Sequence, residues 1–242
     1  MVQRAARGVV FTGAGVSTES GIPDFRSPGG FWTRHKPIAF KDFLASAETR
    51  LEAWRRFLTI RQTIAAAAPG SGHAAIADLV RRGHVSHVIT QNIDGLHERS
   101  GIAPNRIIEI HGNGTYAICL TCGRRHEIDW VHEVIEATDA APACTACGGI
   151  VKSATISFGQ AMPEQEMADA RAATLAADLF IAIGSSLQVF PAAGLPVLAK
   201  QNHTPLVIIN REPTGLDGLA DLVINGEIGA VMNALSERLA AT

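Results

Sequence analysis

Six short apolar runs, most of them ending in a polar loop, constrain the fold of this chain more than any other feature. Several are continuous rather than alternating, which is typical of strands buried on both faces of a parallel sheet. Helical patterns lie between or after them, at 73–82 and from Ile228 to Leu235. This alternation predicts an α/β fold with a doubly wound, parallel, Rossmann-like sheet. The runs are GVVFTG (8–13), HVSHVITQN (84–92), RIIEIHG (106–112), DLFIAIGSS (178–186), PLVIIN (205–210) and DLVIN (221–225).

The first run ends in a glycine turn, Gly13-Ala-Gly15. Glycines there let backbone N–H groups approach a pyrophosphate, and Ser17 adds a hydroxyl donor. Thr18 stands where the third glycine of G-x-G-x-x-G would stand, and a polar loop follows in place of a helix. The turn therefore favours a nucleotide site but disfavours a hydride-transferring dehydrogenase.

Polar residues also follow the other predicted strands, at the sheet edge where ligands of such folds bind. Gln91, Asn92 and Asp94 are suited to hold a ribose or an amide such as nicotinamide, although Asn and Asp are also common in caps and turns. His111 is suited to act as a general base, with a structural hydrogen bond as the alternative. The other residues expected at this site are Asp24, Phe25 and Arg26, the anion cradle Gly184, Ser185 and Ser186, and Asn210 with Arg211.

All four cysteines stand in two C-x-x-C knuckles, Cys119 with Cys122 and Cys144 with Cys147. Paired knuckles predict a structural zinc site with four sulfur ligands and no role in chemistry. Disulfides are disfavoured in an intracellular chain, and a redox motif needs only one knuckle. His126 is the alternative fourth ligand.

The chain divides into a main domain and two insertions. We predict a Rossmann-like domain over 1–34, 73–115 and 151–242. We also predict a helical module over 35–72 and a zinc module over 116–150 that is too irregular for a sheet element. The two insertions are expected to form a second, smaller lobe.

Composition narrows the class of protein. With 242 residues, 47% hydrophobic and 18% charged, the chain is ordinary for a folded globular protein. The net charge of −2 gives no reason to expect a nucleic-acid or membrane surface. No signal-peptide pattern and no apolar run of roughly 20 residues occur, so we expect a cytoplasmic protein. The oligomeric state is left open, and a monomer suffices.

Taken together, these motifs resemble the sirtuins, the NAD-dependent protein deacylases, from about residue 8 to residue 228. The chain resembles the compact bacterial and archaeal members. The resemblance implies that NAD is consumed rather than reduced. It further implies that the carbonyl oxygen of an acyl-lysine attacks the nicotinamide ribose, and that nicotinamide, lysine and 2′-O-acyl-ADP-ribose are the products. The motifs, in order, are GAGVSTESGIPDFR, TQNIDGLH, HGN, the two knuckles, FGQAMP and GSSLQVFPAA.

The resemblance also implies roles for individual residues, with His111 and Asn92 as the catalytic pair and NAD and acyl-lysine peptides as the bound partners. The implied NAD contacts are Ala14, Ser17 and Ser185 at the pyrophosphate, Gln91 at the ribose, Asn92, Ile93 and Asp94 at nicotinamide, and Asn210 and Ile228 at the adenosine half, with Phe25 shielding the ribose and Arg26 ordering its loop. The peptide is expected to add as a strand beside Ile156, Phe158, Gly159, Val189 and Phe190.

Three positions depart from the family pattern. Lys152-Ser153 and Gln160 replace the frequent Arg-Pro and Glu, which is expected to affect peptide preference or domain closure. Members that prefer succinyl-lysine carry a Tyr-x-x-Arg pair in the helical lobe. Its nearest equivalent by position is Leu58 with Arg61, so we expect neutral acyl groups.

Other functions remain as alternatives. The same site could transfer ADP-ribose to protein or water, although the HG pair at 111–112 favours the acyl route. A non-catalytic zinc or nucleotide-binding module is expected to have lost His111 or Asn92, and both are present. A dehydrogenase is disfavoured by Thr18 and the loop after it.

Overall fold

A computed structural model describes residues 1–24 and 36–241 of the chain. Six of the strands in this part form one parallel sheet, in the order β3-β2-β1-β7-β8-β9. The predicted doubly wound sheet is confirmed, and each of the six apolar runs supplies one strand of it. The strands are β1 Gly8–Thr12, β2 Val85–Thr90, β3 Ile107–Glu109, β4 Gly112–Cys119, β5 Arg125–Glu127, β6 Val151–Thr155, β7 Leu179–Ile183, β8 Leu206–Ile209 and β9 Leu222–Ile224.

Helices cover both faces of this sheet and build part of a second lobe. The helix predicted over 73–82 is observed as α3, and the C-terminal helix as α8. Across the described ranges, no helix is both long enough and apolar enough to pass through a bilayer. The helices are α1 Phe40–Ala45, α2 Ala47–Ala66, α3 Ser71–Arg81, α4 Leu96–Arg99, α5 Ile128–Thr138, α6 Glu164–Ala176, α7 Gly194–Gln201 and α8 Ile228–Ala240.

Alternate residues of the central strands belong to two separate hydrophobic cores, one on each face of the sheet. Val10 and Ile181 pack with Ile76 of α3 on one face of the sheet, where α8 also lies. Val9 and Phe180 pack on the other face, against α6 and α7. Burial of both faces explains why the strands read as continuous apolar runs.

The smaller lobe contains a sheet that the sequence analysis excluded. The expectation that 116–150 is too irregular for a sheet element is wrong, because β4 pairs antiparallel with both β5 and β6. The strands were hard to recognise because glycines interrupt β4 and its inward residues, Ala117 and Cys119, are small. Trp54, from a distant segment, supplies much of the core between this sheet and α2.

The two insertions share this core. The indole N–H of Trp54 in α2 donates to the carbonyl of Val151 in β6, at 3.2 Å. Strand β4 begins at Gly112, before the predicted zinc module, and β6 at Val151–Thr155 lies entirely after it. The three-part division itself stays a prediction.

Candidate active site and metal centre

The glycine turn lies where the strand order reverses, between β1 and β7. The N–H of Gly15 donates to the carbonyl of Gly184 at 2.8 Å, and a Cβ on Gly13 would lie 2.7 Å from the same oxygen. Gly184 itself has φ +63°, which favours glycine. The close approach of two backbones therefore requires glycines here, whether or not a phosphate binds. A 3-10 helix over Ala14–Ser20 follows the turn, in place of an α-helix.

A cleft of about 650 Å³ runs from this turn to the smaller lobe. It brings together most of the residues predicted for the site. Ser17 and Asp94 lie behind its wall, and Phe25 and Arg26 fall outside the described residues. The predicted residues that line it are Gly13, Ala14, Gly15, Asp24, Gln91, Asn92, Ile93, His111, Ile156, Phe158, Gly159, Gly184, Ser185, Ser186, Val189, Phe190, Asn210, Arg211 and Ile228.

Ser17 and Asp94 form a buried polar cluster with Asn92. The Ser17 hydroxyl donates to Asp94 Oδ2 at 2.7 Å and accepts from Asn92 Nδ2 at 3.1 Å. His73 Nε2 lies 3.5 Å from the same hydroxyl, and burial lowers the pKa of His73 although Asp94 opposes the shift. The predicted contact of Ser17 with a pyrophosphate stays a prediction, and its hydroxyl hydrogen would have to leave Asp94 to make it.

Gln91 bridges two strand ends at the centre of the cleft. Its side-chain Nε2 donates to the Ser185 hydroxyl at 2.8 Å and to the carbonyl of Thr12 at 3.3 Å. The Ser185 hydroxyl also accepts from the N–H of Leu187. The amide and hydroxyl expected near the ribose and the pyrophosphate are thus already oriented by each other.

His111 stands on a tight turn between β3 and β4. Its Nδ1 lies 3.1 Å from the carbonyl of Gln91, which can only accept, so Nδ1 carries the proton. Nε2 is then the ring atom that can take up a proton. The next residue, Gly112, has φ +73°, and a Cβ there would lie 2.0 Å from the carbonyl oxygen of Ala154. Only glycine allows this turn, which holds the imidazole at the cleft.

A carboxylate–amide pair braces the same turn. Asn113 Nδ2 donates to both carboxylate oxygens of Glu109, at 2.8 and 3.0 Å, and its Oδ1 accepts from the N–H of Thr115. Burial raises the pKa of Glu109, and the hydrogen bond from Asn113 partly opposes this shift. The two residues flank His111 on either side and join the end of β3 to the start of β4.

The smaller lobe contributes an apolar wall that the sequence analysis missed. Leu58 and Arg61, the expected pair, do not line the cleft, and Arg61 instead pairs with Asp129 at 2.8 Å. The available signal was that large residues recur at every third position of α2. The sequence does not say, however, which face of the helix lies against the cleft. The wall consists of Ile38, Phe43, Trp54, Phe57 and Ile60.

Lys152 places one amine beside this wall. It is 2% exposed, and its Nζ donates to the carbonyls of Thr155 at 2.5 Å and Ser153 at 3.3 Å. Within the described residues no carboxylate lies at salt-bridge distance. Burial lowers the pKa of Lys152 to about 8. The departure from the family pattern at this position is therefore a buried cation held by backbone carbonyls.

The four cysteines come together in the smaller lobe. Their sulfur atoms all lie within 4.8 Å of one another, with Cys119 and Cys147 at 3.5 Å and Cys122 and Cys144 at 3.7 Å. Four ligands at Zn–S distances of about 2.3 Å would be about 3.8 Å apart, so the cluster fits a tetrahedral zinc ion. Backbone N–H groups, first that of Cys122, lower the pKa of the Cys119 thiol to about 6, which favours a thiolate ligand.

His126 is not part of this cluster. It stacks on Trp130 with ring centroids 4.6 Å apart and lies among buried residues of the smaller lobe. Its role as an alternative fourth ligand is therefore not supported, because four sulfurs already complete the coordination.

Fold and site together define a class: a Rossmann-like sheet with a cleft at its switch point, closed by a smaller lobe that carries a four-cysteine centre. Residues 13–191 match the sequence profile of the Sir2 family. The chain therefore belongs to the Sir2 family.

Relatives cover nearly the whole chain. An "NAD-dependent protein deacetylase 1" of Bradyrhizobium diazoefficiens is 58% identical over 96% of this chain and 91% of its own length. An "NAD-dependent protein deacetylase" of Rhodopseudomonas palustris is 56% identical over 96% and 92%.

Solved structures agree in fold. One described as "Sir2-p53 peptide-NAD+" has a TM-score of 0.90 at 31% identity and covers 100% of this chain and 96% of that one. A second, "Sir2Tm bound to a propionylated peptide", has a TM-score of 0.87 at 31% identity, over 100% and 96%.

Proposed function

We propose that this protein is an NAD-dependent protein lysine deacylase that removes neutral acyl groups, acetyl first among them. The observation that carries the proposal is His111, which lines the cleft and keeps its proton on Nδ1, so that Nε2 is the ring atom that can accept one. Relatives that match over 91% and 92% of their own length and are named NAD-dependent protein deacetylases support it. So does a similar fold solved with peptide and NAD.

In this reaction the residues at the edge of the large sheet bind NAD and orient it. NAD supplies the ADP-ribosyl group that captures the acyl oxygen, and nicotinamide is released. Gly13, Ala14 and Gly15 present the backbone turn to the pyrophosphate, with Ser185 beside them. Asn92, Asn210 and Ile228 line the same cleft. We assign Asn92 to its nicotinamide end, and Asn210 and Ile228 to its adenosine end.

His111 performs the proton transfer. Its Nε2 accepts a proton from a ribose hydroxyl, so that this oxygen becomes nucleophilic towards the captured acyl carbon. The Gln91 carbonyl holds the proton on Nδ1 and stabilises the imidazolium that forms. Such a base contributes about 10²–10⁴ in rate.

The acyl-lysine enters between two segments that flank the cleft. Phe158 and Phe190 are exposed at its mouth, at 47% and 70%, and Val189 lines it. We propose that the peptide adds there as a strand, with main-chain hydrogen bonds that read little sequence.

The apolar wall indicates the class of acyl group. Trp54, Phe57 and Ile60 offer no partner for a carboxylate, and burying an unpaired charge against them is costly. Lys36 and Arg56 also line the cleft, but Lys36 is exposed and Arg56 is already paired with Glu52 at 2.6 Å. An acetyl or propionyl group fits this wall, and a related structure holds a propionylated peptide. Lys152 does not reverse the argument, because its amine is engaged by two carbonyls.

The zinc ion, held by the four cysteines, would stabilise the smaller lobe. Four protein ligands leave no open position, so we assign it no chemical step. A site of four thiolates suits a reducing compartment, which supports a cytoplasmic location. The net charge of −2 offers no argument for a nucleic-acid partner.

The test is incubation of the purified protein with NAD and an acetyl-lysine peptide, followed by mass spectrometry. Nicotinamide, free-lysine peptide and acetyl-ADP-ribose are expected together. Nicotinamide without deacylated peptide would instead support ADP-ribosyl transfer or NAD hydrolysis. No nicotinamide with acetyl, propionyl or butyryl peptides would contradict the proposal.

A further inference from the structure

Behind the nicotinamide end of the cleft lies a buried histidine that the mechanism does not use. His97, in α4, is 3% exposed, and its Nε2 lies 2.9 Å from the hydroxyl of Thr12 at the end of β1. Thr12 donates in turn to the hydroxyl of Thr90 at the end of β2, at 2.8 Å. Thr12 and Thr90 are 0% and 2% exposed. These three residues form a continuous chain of hydrogen bonds that joins α4 to the two central strands.

The chain ends on a residue of the site. The Thr90 hydroxyl accepts from the backbone N–H of Asn92, at 3.0 Å. The side chain of Asn92 donates to the carbonyl of Gly13 at 3.1 Å. Gly13 is the residue that directly follows Thr12, the last residue of β1. The position of Asn92 is therefore set twice by the same pair of strand ends, once through its backbone and once through its amide.

The direction of the hydrogen bonds defines which ring nitrogen of His97 carries the proton. Because Thr12 donates its hydrogen to Thr90, it must accept from His97, so Nε2 carries the imidazole proton. Nδ1 then holds a lone pair, for which the described residues provide no partner. The opposite tautomer would bury an N–H group without an acceptor, which is rarer than an unused acceptor. Burial lowers the pKa of His97 to about 3, so the ring is neutral at any working pH.

We propose that His97 is a positioning residue, which acts through Thr12 and Thr90 to hold Asn92 in the orientation needed at the nicotinamide end of the cleft. The proposal rests on the deacylase function proposed above. The ring of His73 in α3 packs against that of His97, with ring centroids 5.0 Å apart, so the buried imidazole is held by packing as well as by its hydrogen bond. Loss of the Nε2 donor would free Thr12 to rotate, and Asn92 would lose its fixed backbone partner.

The experiment compares His97→Phe, which keeps a ring without polar atoms, with His97→Gln, which carries an amide near the place of Nε2. A third variant, Thr90→Val, removes the hydroxyl with little change of shape. Steady-state kinetics and nicotinamide exchange would be measured for each, together with melting temperature and zinc content. Thr174→Val is the matched control, because Thr174 is a buried threonine of α6 that bonds only within its own helix.

For His97→Phe and Thr90→Val we expect a fall of about tenfold or more in kcat and in nicotinamide exchange, with an unchanged KM for the peptide. His97→Gln is expected to recover most of this loss. The control should keep wild-type kinetics. The loss should be the same from pH 6 to pH 9, because the ring does not titrate there.

Two outcomes separate the proposals. A wild-type protein that releases no nicotinamide overturns the deacylase function. An active wild type with His97→Phe and Thr90→Val at the same kcat overturns the positioning role alone. A fall in melting temperature without a change in kcat, or a His97→Gln variant no better than His97→Phe, also overturns it. Should His97→Phe fail to fold, Thr90→Val decides the question.

Discussion

The two walls of the cleft are built by different means. The wall formed by the ends of β1, β2 and β7 consists of backbone turns and polar side chains that satisfy each other, such as Gln91 with Ser185 and Ser17 with Asp94. The wall from the smaller lobe is apolar and depends on packing around Trp54 and on the cysteine cluster. Removing one polar group from the wall of the large sheet leaves its hydrogen-bond partner unpaired. The wall of the smaller lobe, in contrast, is expected to lose its structure as a whole when the metal is removed.

The largest expected effect is on the second wall. Cys144→Ser should remove zinc and destabilise the smaller lobe by several kcal/mol, because structural zinc binding is coupled to folding. Melting curves and metal analysis would measure this, with Thr145→Ala, on the exposed part of the same knuckle, as the control. A variant that keeps both its zinc and its melting temperature would contradict the structural-metal assignment.

On the first wall the chemistry should be lost without the fold. His111→Ala is expected to lower kcat for deacylation by about 10²–10⁴, since it removes the general base. Melting temperature and NAD affinity should change little. His132→Ala, at a surface histidine of α5, serves as the control. Unchanged turnover in His111→Ala would exclude His111 from its role.

Lys152 places a buried, titratable charge beside the apolar wall. Its pKa is about 8 in the folded protein, below the usual value near 10.4, so the unfolded chain binds more protons between these values. The cost of burying the ammonium is therefore present in full below pH 8 and disappears as the pH rises. Relative to Lys152→Met, wild-type stability should increase by about 2 kcal/mol from pH 7.5 to pH 9.5.

Urea unfolding at the two pH values would measure this difference. Lys41→Met, at an exposed position of α1, should keep the pH dependence of the wild type. A constant difference between wild type and Lys152→Met across this range would show that Lys152 is not buried as a strained cation.

The smallest effect concerns which residues of α2 face the acyl group. The double variant Phe57→Tyr with Ile60→Arg places a phenol and a cation on the wall, so deacetylation should fall about tenfold and the preference for succinyl-lysine should rise. Leu58→Tyr is the control, because it creates a Tyr-x-x-Arg pair with Arg61 that does not line the cleft. If Leu58→Tyr were the variant that gained desuccinylation, the assignment of the wall to Phe57 and Ile60 would be wrong.

The six strands of the central sheet and one edge of the site could be predicted from the sequence. The strands ending at Thr12, Thr90 and Ile183 were recognisable because burial on both faces leaves continuous apolar runs. Their carboxyl ends are bound to meet in a parallel sheet, which is why Asn92, His111 and Ser185 could be expected together. The cysteine spacing alone predicted a four-sulfur site, since each knuckle turns two sulfurs to one side.

Other features followed only from the tertiary structure. The sequence by itself determined which residues lie at the strand ends and that the four cysteines form one cluster. It could not determine that Ser17 turns inward to Asp94, that His97 reaches Thr12, or that α2 presents Phe57 and Ile60 rather than Leu58 and Arg61. The first two contacts join residues 77 and 85 positions apart in the chain, and the third depends on the rotation of one helix against the cleft. The local sequence pattern reveals the periodicity of a helix or strand. Packing in the folded protein decides which other element that helix or strand contacts.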